Sequence, residues 1–269
     1  VPELPEVETT RRGIAPLISN QVIERVVVRE RRLRWRIPDG LEQRIAGQTV
    51  HSVARRAKYL LLQLDDCELI VHLGMSGSLR FLPEEIPPAP HDHVDWRFAT
   101  GTLRLNDPRR FGCVLLTNSA GSHRLIAALG PEPLEAGFSA DHLRAACEGR
   151  RVAIKQLLMN SHVVVGVGNI YANEALFRAG IHPRRAAGRI SPERLRLLVA
   201  AVRDVLAESI AHGGTTLRDF VGSDGRPGYF RIALQVYERA GEPCVQCGTA
   251  IRRIVQGQRA TYYCVNCQH

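Results

Sequence analysis

The residues best equipped for covalent chemistry stand at the head of the chain, in Val1-Pro2-Glu3-Leu4-Pro5-Glu6. A proline nitrogen acylated by a preceding residue is an inert tertiary amide without an N–H. A terminal one is a secondary amine that can attack an electrophilic carbon and become a charged iminium. Terminal amines titrate near ~7.7 and lysines near ~10.4, so only the former keep a useful unprotonated fraction at neutral pH. With a carboxylate, Glu3, beside it, such an amine is a covalent catalyst. The chemistry requires loss of Val1, which is expected to be an initiator residue removed after synthesis. The structural alternative is a proline-rich lead into a helix over residues 7–17, with Pro5 pre-set for its first turn.

A second constellation lies at the other end. Cys244-x2-Cys247 and Cys264-x2-Cys267 place two tight knuckles 16 residues apart. Four thiolates close a tetrahedral zinc site with no open position, so the site is structural. Unliganded thiols are the alternative. Arg252-Arg253 and Gln258-Arg259 then fall on a two-stranded ribbon whose fold depends on the metal, with Arg259 set against a ligand. The other cysteines, Cys67, Cys113 and Cys147, read as packing residues.

Of 36 Lys+Arg, every one except Lys58 and Lys155 is arginine. These two mark positions where a compact ammonium is needed, or they persist by chance. Gly166 and Gly168 allow a tight turn that opens backbone N–H groups to an anion at the next helix start. Asn169 caps that helix or binds phosphate itself. A dinucleotide fingerprint fails there, because Tyr171 occupies the third glycine position. Asp107-Pro108-Arg109-Arg110-Phe111-Gly112 sets cations beside an aromatic at a loop tip, which suits a minor-groove wedge, or Phe111 simply anchors the loop. Met75, on a glycine-flanked turn, is a second insertion residue or a packing residue.

The elements that must position these groups follow from periodicity. At 269 residues the chain can form two domains, and its net charge of +9 favours a polyanionic partner. It contains no stretch of 18 apolar residues and no basic-then-apolar leader, which predicts a soluble cytosolic protein. Short β-branched or leucine-rich runs predict strands at 22–28, 49–53, 59–64, 69–73, 77–82, 96–99, 102–105 and 113–117, a β-sandwich or barrel-like half. Residues 83–90 form a proline-rich surface loop. After Gly130 the period becomes helical, at 140–147, 154–159, 170–179 and 192–212. The last helix has Ser191 as cap and Pro192 at its first position, and it stops at Gly213-Gly214.

Taken together, Pro2 to Thr9, Ala57-Lys58-Tyr59-Leu60, His72 to Gly77, Asp107 to Gly112, Gly166 to Glu174, Gly213 to Leu217, Ser223 to Phe230 and the four-cysteine module resemble bacterial formamidopyrimidine-DNA glycosylase from end to end, in the same order. The residue before the proline is the one departure. The resemblance implies an α+β fold: an N-terminal β-sandwich domain with a flanking helix over residues 2–130, a helical helix-two-turn-helix domain over 131–235, and a zinc ribbon over 236–269. It implies a glycosylase and abasic-site lyase that takes a flipped oxidised purine, 8-oxoguanine or a formamidopyrimidine, from damaged duplex DNA into a cleft. Pro2 attacks C1′, Glu3 is the general acid–base, and β- and δ-elimination follow.

By the same resemblance Lys58 grips the phosphate near the lesion, while Lys155 serves base recognition. Asn169 and Arg259 bind phosphates, and Met75, Arg109 and Phe111 fill the vacated stack. His91 contacts DNA or is a solvated loop residue. Residues 213–228 close over the purine, with Thr215, Thr216 and Tyr229 contributing. Glu6 and Glu174 give structural support. One structural zinc is expected, with no nicotinamide or flavin cofactor, no membrane association, and action as a monomer at the nucleoid in the cytoplasm. Two rivals stand beside this reading: an oxidised-pyrimidine glycosylase of the endonuclease VIII type, and a zinc-ribbon DNA-binding protein without catalytic activity.

Overall fold

The computed structural model describes residues 2–214 and 234–269. The expected loop at 213–228 therefore lies outside the described residues from 215 onward, with Thr215, Thr216 and Tyr229. Two compact units are present. The described part of the first runs to Ala127 and includes 213–214; that of the second comprises 128–212 and 234–269.

The first unit opens with α1 (Leu4–Ile18), then β1 (Gln21–Val22), β2 (Arg25–Val28), α2 (Leu41–Ile45), β3 (Thr49–Val50), β4 (Ser52–Arg56), β5 (Tyr59–Gln63) and β6 (Glu68–His72). It continues through β7 (Ser78–Leu82), β8 (Asp92–Phe98), β9 (Gly101–Asn106), β10 (Cys113–Thr117) and α3 (Arg124–Ala127). Two four-stranded antiparallel sheets, β10-β6-β5-β4 and β2-β8-β9-β7, form the sandwich. Val53, Leu60 and Val71 from one sheet and Val94, Trp96 and Leu105 from the other share a single apolar core. Val7, Ile14 and Ile18 bring the inner face of α1 into that core.

The run expected as one strand over 22–28 is two. β1 pairs with β3 and β2 with β8, so the chain changes partner at Ile23-Glu24. Residues 49–53 divide likewise at His51. β8 starts at Asp92, well before residue 96; Val94, Trp96 and Phe98 face the core, and Asp95 lies on the opposite face of the sheet. Asp95 is fully buried and takes two bonds from Arg104, at 2.7 and 2.8 Å, and one from Arg29 at 2.5 Å. A buried charge is tolerated only with such pairing.

The second unit contains α4 (Ala140–Cys147), α5 (Ile154–Leu158), α6 (Asn169–Arg178), α7 (Pro192–Ala211) and the hairpin β11 (Arg252–Gln256) and β12 (Arg259–Tyr263). Ser191 caps α7 by accepting the Arg194 N–H, and Pro192 takes the first helical position. The helix ends at Ala211, with Gly213 and Gly214 both at positive φ. α6 is buried along eight of its ten residues, and Phe177 joins Val236, Ile251 and Tyr262 in a small core beneath the cysteine module. Cys67, Cys113 and Cys147 are buried as packing residues, and burial pushes the Cys113 thiol up to about 12.

Candidate active site and nucleic-acid interface

α1 delivers Pro2 and Glu3. Glu3 is the extended residue before the helix, and Pro5 lies in the first turn, where a missing N–H costs nothing. The Glu3 N–H donates to Glu6 Oε2 at 2.8 Å within a reciprocal capping box. Both carboxylates are buried, at a helix terminus whose free N–H groups favour negative charge. Gly214 approaches Glu6 so closely that a Cβ there would touch its side chain at 3.4 Å. Glu6 thus supports the Pro2-Glu3 corner structurally.

Lys58 sits on the two-residue turn between β4 and β5, where Arg56 pairs with Tyr59. The next residue, Tyr59, pairs across the sheet with His72 at the end of β6. Burial, together with the Lys58 and Arg34 cations, holds the His72 ring down at about 4, so it is neutral near pH 7. His72 Nδ1 accepts the Gly74 N–H at 2.9 Å, which leaves the ring proton on Nε2. Lys58, Arg34 and a neutral N–H donor therefore share one electropositive neighbourhood.

Met75 and the Arg109–Phe111 tip are brought together through their backbones. A Cβ on Gly74 would lie 2.5 Å from Gly112 N, so the two loops touch where only glycine fits. Asp107, fully buried, accepts the Gly112 N–H at 2.8 Å and the Ser76 hydroxyl at 3.2 Å, one donor from each loop. The Arg109 guanidinium lies 4.8 Å over the Phe111 ring, and Phe111 is 43% exposed. Met75 is half-buried. His91 is exposed at φ +72°, and its carbonyl accepts the Asp107 N–H at 3.0 Å.

In the second unit, Gly166 is left-handed (φ +77°) and Gly168 is the residue that caps α6. Asn169 is not the cap: it is the first helical residue, and its amide serves the hairpin. Asn169 Nδ2 donates to Ala260 O at 3.0 Å, while Oδ1 accepts from Lys155 Nζ at 2.6 Å. Lys155, only 1% exposed, also donates to Thr261 Oγ1 at 2.7 Å and Ala260 O at 3.2 Å. These acceptors converge on one compact nitrogen, which suits the three donors of an ammonium better than the broad plane of a guanidinium.

Asn173 accepts the Tyr262 N–H, and Glu174 accepts the N–H groups of Gln235, Val236 and Tyr237. Burial pushes the Glu174 carboxyl up against those bonds. It is a structural tie, as expected. Arg259 opens β12 exposed, just after a Gly257-Gln258 turn with φ +55° and +62°, the mirror-image turn that suits hairpins.

The four cysteine sulfurs lie within 4.8 Å of one another, with Cys244–Cys267 at 3.9 Å and Cys247–Cys264 at 3.4 Å. A tetrahedron of Zn–S bonds of ~2.3 Å has edges of about 3.8 Å, so Cys244, Cys247, Cys264 and Cys267 fit one structural zinc.

Residues 1–114 match the formamidopyrimidine-DNA glycosylase N-terminal domain, 129–221 the H2TH domain of the same enzymes, and 241–269 the zinc finger found in FPG and IleRS. A formamidopyrimidine-DNA glycosylase of Bordetella pertussis is 58% identical across 100% of this chain and 99% of its own. The chain belongs to the formamidopyrimidine-DNA glycosylase family. Among solved family structures, the MutM (Fpg) protein of Thermus thermophilus matches at 39% identity and TM-score 0.90, covering 99% of this chain and 98% of that one. A Lactococcus lactis Fpg mutant in complex with Fapy-dG containing DNA matches at 33% identity and TM-score 0.93, over 100% of both chains.

Within this formamidopyrimidine-DNA glycosylase fold, the first unit gathers Pro2 with Glu3, Lys58 with His72, and Met75 with Arg109 and Phe111. The second gathers Lys155, Asn169 and the hairpin of Arg259. His72, Arg34 and Asp107 escaped residue-level reasoning. His72 and Asp107 lie inside quoted motifs, but only the pairing of β6 with β10 shows that their loops meet. Arg34 is one arginine among many, marked out by its N–H to Gly112 O at 3.1 Å.

Proposed function

We propose that this chain is a bifunctional base-excision-repair enzyme that removes oxidised purines, 8-oxoguanine and formamidopyrimidines, from duplex DNA and then cuts the strand at the abasic site. The observation that carries the reading is the buried Pro2-Glu3 corner at the start of α1. Family membership and the likeness to a relative solved with Fapy-dG containing DNA support it.

In this reading, whatever precedes Pro2 is removed, and the free amine attacks C1′ of the lesion nucleotide. The N–C1′ bond forms as the bond to the damaged base breaks; Glu3 then gives a proton to O4′, the C1′–O4′ bond opens, and the nitrogen lone pair forms the iminium. The resulting iminium is an electron sink: loss of a C2′ proton expels the 3′ phosphate, loss of a C4′ proton expels the 5′ phosphate, and water releases Pro2. Lys58, Arg34 and His72 supply the electropositive neighbourhood for a backbone phosphate. Met75, Arg109 and Phe111 occupy the vacated stack, which offsets unstacking. Residues 2–130 carry the chemistry, while 131–235 and 236–269 hold the duplex through Asn169 and Arg259, with Lys155 behind them. Zinc, when bound, fixes the hairpin and takes no part in bond breaking.

Neither nicotinamide nor flavin enters this scheme, and a single chain suffices. The endonuclease VIII-type reading is disfavoured by the full-length likeness to named formamidopyrimidine-DNA glycosylases. Borohydride reduction of the enzyme on an 8-oxoguanine duplex tests the proposal. A covalent adduct mapping to Pro2 is expected; attachment at a lysine, or active protein with Val1 retained, overturns it.

A further inference from the structure

The turn that carries Lys58 is tied to the helix that carries Pro2 and Glu3. Glu8, buried on α1, accepts from Arg11 Nη2 at 2.9 Å, Arg12 Nε at 2.9 Å and Arg55 Nε at 3.1 Å. Burial alone would raise this carboxyl, but the guanidinium bonds override it and hold it at about 2. Glu8 is thus a carboxylate throughout the neutral range. Arg11 adds a bond to Val53 O at 3.3 Å on β4. Arg55, also on β4, spends its far end on the Lys58 turn: Nη1 donates to Ala57 O at 2.9 Å.

Ala57 is the residue that needs holding. It is buried and has φ +55°, a region that residues with a Cβ rarely adopt. As the first residue of a two-residue hairpin turn it occupies a place normally given to glycine, asparagine or aspartate. Lys58 follows it directly, so the orientation of the Ala57 peptide sets the direction of the lysine.

We infer that Glu8 and Arg55 are positioning residues for Lys58: the helix-borne carboxylate fixes the Arg55 fork, and the fork clamps the Ala57 peptide in the left-handed turn that aims the ammonium. The inference rests on the proposed role of Lys58 in lesion processing. Arginine suits the position because one planar fork presents Nε to Glu8 and Nη1 to Ala57 O from two separate nitrogens held in fixed geometry.

The test is single-turnover excision of 8-oxoguanine by Arg55→Gln, alone and in the Ala57→Gly background, with thermal melting to confirm folding. Arg55→Gln is expected to slow excision roughly fivefold to thirtyfold, the equivalent of the left-handed penalty, with little change in KM. In the Ala57→Gly background the loss shrinks to about twofold or less, because glycine enters that region without a Cβ penalty. In a Lys58→Ala background Arg55→Gln adds no further loss, as expected for residues acting as one unit.

Equal losses with Ala57 and with Ala57→Gly would mean that Arg55 acts on DNA itself, and an undiminished Arg55→Gln enzyme would leave it no role; either overturns the inference. Should Arg55→Gln not fold, the isosteric Glu8→Gln is read in the same two backgrounds with the same criteria. A Lys58→Ala enzyme with parental excision would instead remove the proposed role of Lys58, and the inference with it.

Discussion

Asp107 accepts the Gly112 N–H and the Ser76 hydroxyl with one carboxylate, and its carbonyl accepts from the His93 ring at 2.8 Å. The residues proposed to enter the base stack, Met75, Arg109 and Phe111, are not the side chains that make these bonds; they ride on the loops those bonds join. Removing the carboxylate leaves two buried donors unsatisfied, at about 1–3 kcal/mol for a lost buried partner. Asp107→Ala is expected to lower the unfolding free energy by roughly that amount in urea titration. It should also weaken binding to a lesion duplex, because the two tips no longer share a fixed base. Asp107→Asn, which retains one acceptor, should fall between. An Asp107→Ala protein as stable as its parent would show that the loops are held by their glycine contact alone.

The zinc hairpin and α6 share a buried ammonium, and the lysine economy makes that visible. Lys155 donates to Asn169 on α6 and to Ala260 and Thr261 on β12, whereas Lys58 is half-exposed on its turn. The hairpin depends on metal, so chelation should release two of the Lys155 acceptors together. Brief amine acetylation followed by peptide mass analysis is expected to modify Lys58 and spare Lys155 in the zinc-bound protein. After chelation both should be modified, and readded zinc should restore protection. Lys155 acetylated equally in both states would mean that the pocket survives without the metal.

The same contacts separate what is local in this chain from what is not. The sandwich strands, the capping of α7 and the cysteine knuckles were legible because their signals are local: alternation, Ser-Pro, and paired Cys-x2-Cys. Asn169 was not legible as a hairpin ligand, since Ala260 lies 91 residues away, and a turn asparagine before a helix looks like a cap. The burial of Lys155 was hidden for the same reason, its Thr261 partner being 106 residues distant. α2 and α3, at five and four residues, are too short to show a period.

Across the molecule the net charge of +9 is carried almost wholly by arginine, yet much of it is neutralised locally. Arg104 and Arg29 serve Asp95 on the outer face of the β2-β8-β9 sheet, and Arg11, Arg12 and Arg55 converge on Glu8. Net charge therefore overstates what the chain can offer to phosphate, and exposed arginines beside a positioned backbone matter most. Arg259 is of that kind, set at a hairpin turn that zinc holds rigid. Each phosphate neutralised on duplex DNA releases counterions, giving a slope of about −0.9 in log K against log salt. Arg259→Ala is expected to weaken binding of undamaged and lesion duplexes alike and to flatten that slope by roughly 1, measured by anisotropy between about 50 and 200 mM salt. Arg196→Ala on α7, whose guanidinium pairs with Glu193 at 3.1 Å, should leave the slope as it was. If the two variants give the same slope, the hairpin arginine is not a phosphate ligand, and Asn169 must anchor the duplex in the second unit without it.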